Sequence, residues 1–411
     1  MSGYRRRLLD PLIETLQGDV PALLLVGPRA VGKTTTAARH ARTIVRLDRP
    51  AEATAFRADP DAALRGLPEP LLLDEWQVVP EVLGAVKRAI DNDPRPGRFL
   101  ITGSARSDLD EQTWPGTGRL VRLAMFGMTV GERVGSTTSP FLDAIASEDF
   151  VAAPGDPPDL RGYVELALRG GFPDPTLDRS LAAREHWLES YVEQMLTRDA
   201  EHVDGGRDPL RLRRFFEAYA LSSAGVPDAK TLYDAAGINR RTAIAYERLL
   251  ANLLVVEATP AWTSNRIKRL SLAPKRYLTD PALIAAALRL DSAGVLRDGD
   301  VLGRLLDTFV AAQLRAELPV AASRPRLYHL RQQQGRHEVD LVAEHAAGRI
   351  VGIEVKASAA QVAGDARHLM WLRDRLGDRF AAGVLLHTGP RLYRLGERIL
   401  AAPICALWDR G

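Results

Sequence analysis

The run Gly27-Pro28-Arg29-Ala30-Val31-Gly32-Lys33-Thr34, followed by Thr35, matches the pattern G-x-x-x-x-G-K-[ST]. Each type at its place has a chemical task. The glycines let backbone N–H groups close around phosphate oxygens, Lys33 reaches the β- and γ-phosphates, and the Thr34 hydroxyl ligates Mg²⁺. The apolar run Ala22 to Val26 precedes the loop and the helix-compatible stretch from Thr34 to Thr43 follows it. That is the strand–loop–helix order an anion site requires. These residues predict a site for ATP with Mg²⁺.

Leu71-Leu72-Leu73-Asp74-Glu75 is an apolar strand ending in two carboxylates, about forty residues after the loop. Behind a phosphate-binding loop, Asp74 would hold Mg²⁺ through water and Glu75 would orient and deprotonate the attacking water. A further apolar strand, Phe99-Leu100-Ile101-Thr102-Gly103-Ser104, ends in hydroxyls, so Thr102 or Ser104 would contact the γ-phosphate or the water. Phosphoryl transfer also gains from a cation on the transferring group. Arg119 is the first candidate for it and Arg106 the second.

Two more clusters lie in the second half. Lys230 to Asn239, then Arg240-Arg241-Thr242 to Tyr246, read as helix, Gly-containing turn, helix. Arg240, Arg241 and Thr242 would open the second helix, where a recognition helix meets the major groove of double-stranded DNA. Lys268 and Arg269 would follow on a hairpin and touch phosphates. Farther on, Asp340 precedes a strand carrying Glu354-x-Lys356. Residues two apart share a face of a strand, so these groups point together. Two carboxylates there could hold a divalent cation, with the lysine steadying charge or the attacking water.

The elements that must position these groups are α/β throughout. Short strands at Ala22–Val26, Thr43–Leu47, Leu71–Leu73 and Phe99–Thr102 alternate with helical patterns and predict a parallel sheet over residues 1–135. Turn-rich residues 136–160 predict a linker. A helical region (161–225), a winged helix–turn–helix (226–285) and a second α/β domain (286–411) complete the expected order. The last holds a helix at 301–318 and paired strands near 339–343 and 350–356.

Bulk composition narrows the setting. No apolar stretch approaches the roughly 18 residues of a membrane helix. The arginines near Met1 are not followed by the apolar segment of a signal peptide. The single Cys405 excludes an internal disulfide, and the eight histidines show no metal-ligand spacing. A cytoplasmic protein with no membrane partner is expected. The net charge of +3 is nearly balanced, yet Lys230 to Asp280 holds nine Lys/Arg against four Asp/Glu, about +5 for that stretch. Only six of the 55 basic residues are lysines, Lys33 and Lys356 among them. In a chain that otherwise writes arginine, lysine marks places where a compact ammonium is needed.

With these motifs in view, the chain resembles prokaryotic AAA-type ATPases fused to a C-terminal region known as domain of unknown function 4143. The likeness is carried by Gly-Pro-Arg-x-x-Gly-Lys-Thr, Leu-Leu-Asp-Glu, Ile-Thr-Gly-Ser, and Gly118-Arg119 before Val130-Gly131-Glu132. It continues through Gly170-Gly171-Phe172-Pro173, Arg198-Asp199, Thr242 with Tyr246, Lys275-Arg276-Tyr277 with Asp280, and the Asp340 and Glu354-x-Lys356 segments. It implies an ATPase with a helix–turn–helix and a restriction-endonuclease-like tail. In that fold an acidic residue on the preceding helix joins the site, and here Asp307 fills a slot that more often holds Glu. Trp114-Pro-Gly-Thr-Gly-Arg119 departs from the usual Leu-x-Gly-Arg. Two functions stay open: a nucleotide state that controls a DNA-binding and DNA-cleaving half, with arginine supplied between copies of a homo-oligomer, or a nucleotide-gated switch for a protein partner whose nuclease-like domain is inactive.

Overall fold

The computed structural model describes residues 3–103, 118–136, 138–147, 150–199, 208–332 and 335–411, without the side chains of 198 and 199. Two compact units are present: residues 6–127 with 251–254, and residues 1–5, 128–250 and 255–411. Residues 128–135 thus cluster with the second unit. Apart from 251–254, the second unit takes in all three regions that the sequence pattern divides.

The first unit is built on five parallel strands: β1 (Ala22–Val26), β2 (Thr43–Arg46), β3 (Leu71–Asp74), β4 (Phe99–Gly103) and β5 (Leu120–Ala124). Their order is β2-β3-β4-β1-β5. All five residues of β1 are buried, as an unbroken Ala-Leu-Leu-Leu-Val run requires in a parallel strand covered on both faces. The fifth strand has no such run, since Arg122 sits in its middle, and the sequence pattern did not announce it. Helix Val82–Asn92 lays Val82, Leu83, Val86 and Ile90 on the sheet at helical spacing. β4 lies between β1 and β3, with Thr102 beside Asp74 and Gly103 beside Val26. This order brings the ends of the three chemically marked strands together.

In the second unit, helices Ala229–Ala235 and Arg240–Asn252 flank Gly237, whose φ of +64° gives the turn its left-handed corner. A two-stranded antiparallel ribbon follows, β6 (Val256–Thr259) with β7 (Lys275–Leu278). A six-stranded mixed sheet comprises β8 (Arg326–Gln332), β9 (His337–Glu344), β10 (Ile350–Lys356), β11 (Phe380–His387), β12 (Tyr393–Gly396) and β13 (Ile399–Pro403). Its order is β12-β13-β11-β10-β9-β8. Helix Arg367–Leu376 packs on it closely enough that a Cβ on Gly352 would meet Leu369 Cδ2 at 2.8 Å.

The expected linker is not a free tether. Within it, helix Phe141–Ala144 buries Phe141 and Leu142 completely, and the Phe141 N–H donates to Glu317 Oε2 at 2.7 Å. The turn residues around 136–140 and 154–158 mask this short apolar anchor.

Candidate functional site

The phosphate-binding loop is shaped by backbone constraints. A Cβ on Gly27 would lie 2.0 Å from the Met125 carbonyl oxygen, so only glycine fits there. Gly32 has φ +94° and Ala30 φ +61°. Left-handed corners of this kind turn successive N–H groups toward one concavity, the usual backbone cradle for an anion. Val31 is buried beneath the loop, while Arg29, Ala30 and Thr35 face solvent. Helix Lys33–Arg39 starts directly at the loop's end, and no side chain caps it at Gly32.

Lys33 folds back over the loop, its Nζ donating to the carbonyls of Gly27 at 3.0 Å and Pro28 at 2.7 Å. Burial pushes this ammonium down to about 8, with Glu75 and Asp74 pulling it partly back and Arg29 adding to the depression. Asp74 Oδ1 accepts both the Thr34 hydroxyl at 2.7 Å and the Thr102 hydroxyl at 2.5 Å. One carboxylate oxygen therefore joins the loop, β3 and β4. Glu75 follows in a left-handed conformation (φ +55°), with the Gln77 amide donating to its Oε2. The structure thus brings Gly27 to Thr34, Asp74, Glu75 and Thr102 into one place. Thr34 and Asp74 fit the protein's share of a Mg²⁺ shell, since that ion takes one or two protein oxygens and completes itself with phosphates and water.

Two candidates stand elsewhere. Arg119 directly precedes β5, where Leu120 pairs with Ala22, whereas the loop follows the other end of β1. It is ion-paired with Asp91. Arg119 therefore stands at the end of the parallel sheet away from its own chain's loop. Ser104 and Arg106 lie outside the described residues.

Sequence reasoning missed Arg7. Its guanidinium is buried and donates to the carbonyls of Val31 and Phe126, each at 2.8 Å, while its own N–H donates to Asp10 Oδ2 at 2.7 Å. It braces the loop from behind. Among several arginines near Met1, nothing in its neighbours marked it out.

The second unit has its own polar cluster. Asp307, on helix Gly299–Glu317, and Asp340, on β9, both lie against Lys275 of β7. Lys275 Nζ is 2.5 Å from Asp307 Oδ2, 3.3 Å from Asp340 Oδ1 and 3.2 Å from the Asp340 carbonyl oxygen. The Tyr277 hydroxyl donates to Asp307 Oδ1 at 3.0 Å, and the Val355 N–H to Asp340 Oδ2 at 3.0 Å. Burial alone would lower the Lys275 ammonium, but Asp307, Tyr277 and Asp340 hold it well above the ordinary lysine value. Burial pushes Asp307 up to about 6, against the pull of Lys275. Burial also opposes ionisation of Asp340, yet Lys275 and the Val355 N–H keep it below the usual range. Glu354 is buried, 3.4 Å from the Lys356 Nζ, and burial pushes its carboxyl up to about 7. Among the described residues no three His, Cys, Asp or Glu side chains are grouped to hold a metal. Asp340, expected with Glu354 to hold a divalent cation, and Asp307, which the resemblance adds to that site, both face an ammonium. Lys275 stood in the sequence as part of the motif Lys275-Arg276-Tyr277, with no role at this site assigned to it.

The DNA-contact candidates separate. Arg240 and Arg241 are exposed at the start of their helix, and Thr242 is half-buried with its N–H held by Asn239 Oδ1 at 2.9 Å. Lys268 is exposed. Arg269 is buried, bonded to Glu344 at 2.5 and 3.3 Å and flanked by the rings of Trp262 and Tyr328. The expectation that it touches phosphates is therefore corrected: its charge is spent inside the protein. Other motif residues are also structural. Asp280 takes the N–H groups of Gly171 at 2.7 Å and Ala282 at 2.9 Å, and Arg276 bonds Glu247 at 2.8 Å.

Comparison with known proteins finds three matched stretches. Residues 19–134 match the AAA domain family, residues 160–294 a domain of unknown function (DUF8612), and residues 302–407 a domain of unknown function (DUF4143). The uncharacterized proteins Mb2031c of Mycobacterium bovis and Rv2008c of Mycobacterium tuberculosis are each 29% identical over 391 residues, 93% of this chain and 80% of theirs. The Walker-type ATPase PABY2304 of Pyrococcus abyssi aligns with a TM-score of 0.43 and 15% identity, over 68% of this chain and 94% of that one. No helix among the described residues is long and apolar enough to cross a membrane.

Proposed function

We propose that this chain, an AAA-type P-loop ATPase domain joined to domain of unknown function 4143, hydrolyses ATP with Mg²⁺ and that its nucleotide state governs what the C-terminal half binds. The observation that carries the first part is the single Asp74 oxygen shared by the Thr34 and Thr102 hydroxyls, beside a buried Lys33. Mg²⁺, when bound, would neutralise charge on the β- and γ-phosphate oxygens. Thr34 and Asp74 would hold it. Lys33 would leave the carbonyls of Gly27 and Pro28 for phosphate oxygens, Glu75 would orient and deprotonate the attacking water, and Thr102 would fix the Asp74 carboxylate. Arg119 would serve only across an interface between two copies, as a homo-oligomer would allow.

For the C-terminal half, double-stranded DNA is the proposed ligand, met by the exposed Arg240, Arg241 and Lys268. A protein partner is favoured by a different fact. Three of the nine basic residues between Lys230 and Asp280 are buried in ion pairs: Arg269, Lys275 and Arg276. The surface excess is therefore smaller than the count suggests.

Turnover tests the first part: Lys33→Ala is expected to abolish ATP binding or hydrolysis, and Glu75→Gln to bind without turnover. Unchanged hydrolysis in either variant removes the assignment. A gel-shift series in rising salt separates the ligands, because phosphate contacts weaken steeply with salt. Absence of any shift at low salt leaves the protein-partner switch.

A further inference from the structure

We propose that Lys275 is the resident cation of the Asp307–Asp340 pair, an internal ammonium in the place a divalent metal would take. The C-terminal domain then acts as a binding module rather than a metal-dependent phosphodiesterase. This goes beyond the ATPase function and does not depend on it.

Three facts carry it. The donor count is complete: an ammonium has three N–H groups, and Lys275 has three acceptors, Asp307 Oδ2 at 2.5 Å, the Asp340 carbonyl at 3.2 Å and Asp340 Oδ1 at 3.3 Å. The acceptors are engaged as well. Of the four carboxylate oxygens, two face Lys275, one takes the Tyr277 hydroxyl and one the Val355 N–H. A Mg²⁺ ion needs oxygens at about 2.0–2.1 Å in near-octahedral array, which these donors would have to vacate. Finally, the ammonium cannot step aside into water, since the Lys275 side chain is 4% exposed. Two cations sharing these carboxylates would repel strongly in so dry a place.

Glu354, the remaining acidic residue of the expected site, is consistent with this. It is 2% exposed, its Oε1 makes no hydrogen bond, and its carboxyl is pushed up to about 7 by burial. Its other oxygen, Oε2, lies 3.4 Å from the Lys356 ammonium, so this carboxyl too already has a cation beside it. Lys275 instead ties together three elements distant in sequence: β7, helix Gly299–Glu317 and β9.

The test is Mn²⁺ binding to the full-length, nucleotide-free protein, read by electron paramagnetic resonance. Wild type, Asp340→Asn, Lys275→Met and the double variant are compared. Mn²⁺ at Thr34 and Asp74 is common to all four and cancels. Wild type and Asp340→Asn are expected to bind alike. Lys275→Met is expected to gain a site about tenfold or more tighter than any in the wild type at this place, lost again on adding Asp340→Asn. An Asp340-dependent Mn²⁺ site in the wild-type protein overturns the proposal. So does a folded Lys275→Met protein that gains none, because the freed carboxylates would then not be the cation's ligands. Should Lys275→Met fail to fold, wild type against Asp340→Asn decides alone. ATP turnover in the same preparations reports separately on the first unit.

Discussion

Nucleotide binding should draw a proton onto Lys33. In the free protein burial holds this ammonium near 8, where an ordinary lysine stands at 10.5. The difference corresponds to on the order of 3 kcal/mol against the charged form. Polyphosphate placed on the loop brings negative charge to Nζ and restores the charged form. At pH 8 about half of the free protein lacks this proton, so binding takes up about 0.5 proton per nucleotide, rising to about 0.9 at pH 9 and falling to about 0.1 at pH 7. The same linkage fixes the sign for folding. The folded value lies below the unfolded one, so the unfolded chain holds more protons between about pH 8 and 10.5, and stability of the free protein rises across that window. Calorimetry with ADP in buffers of different ionisation enthalpy measures the uptake, since the phosphates of ADP are already ionised at pH 8. Lys33→Arg supplies the contrast, because arginine keeps its proton. Buffer-dependent heat in the wild type and none in Lys33→Arg is the expected result. Zero uptake in the wild type from pH 8 to 9, or equal uptake in both, refutes the reasoning. If the arginine variant does not bind, the rise from pH 7 to 9 in the wild type remains the criterion.

Three further outcomes follow from contacts described above. Thr102→Val removes one of two hydroxyls on Asp74 Oδ1, a buried bond to a charged group worth about 1.5–3 kcal/mol; the melting temperature of the first unit should fall by about 5–10 °C, and ATP turnover should drop with it. Arg269→Ala leaves Glu344 with Arg379 alone, at 3.5 Å, and should cost about 1.5–3 kcal/mol in denaturant unfolding, while leaving any DNA gel-shift unchanged; lost DNA affinity in a folded variant would restore Arg269 as a contact. Burial pushes Glu317 up to about 8 from 4.5, so its folded form holds a proton that the unfolded chain releases. Stability should therefore decline as pH rises from about 4.5 to about 8, and Glu317→Gln should flatten that slope in a melting-temperature series.

What the sequence disclosed follows from how local each signal is. The loop, Asp74-Glu75 and Thr102 lie at ends of apolar strands, and a parallel sheet necessarily gathers such ends on one side, so their assembly could be expected. β5 escaped notice because Arg122 interrupts its apolar pattern and Leu120 and Val121 are only half-buried. Arg119 looked well placed in order along the chain, but direction along a strand decides which end of the sheet a residue meets. Arg269 and Lys275 sit in a basic stretch that reads as a charged surface. Only packing reveals that their partners, Glu344, Asp307 and Asp340, arrive from tens of residues away. Arg7 is the same case in reverse, a residue near the chain's start that proves to brace the loop.

The bond between Lys275 and Asp307 also bears on inheritance. One residue belongs to the stretch 160–294 and the other to 302–407, so the two stretches share a single charge balance across their boundary. A gene shuffled at that junction would hand the newcomer either an ammonium sealed in with nothing to neutralise it or a pair of carboxylates facing each other. Descent should therefore keep these two stretches travelling as a pair, with substitutions at one answered at the other.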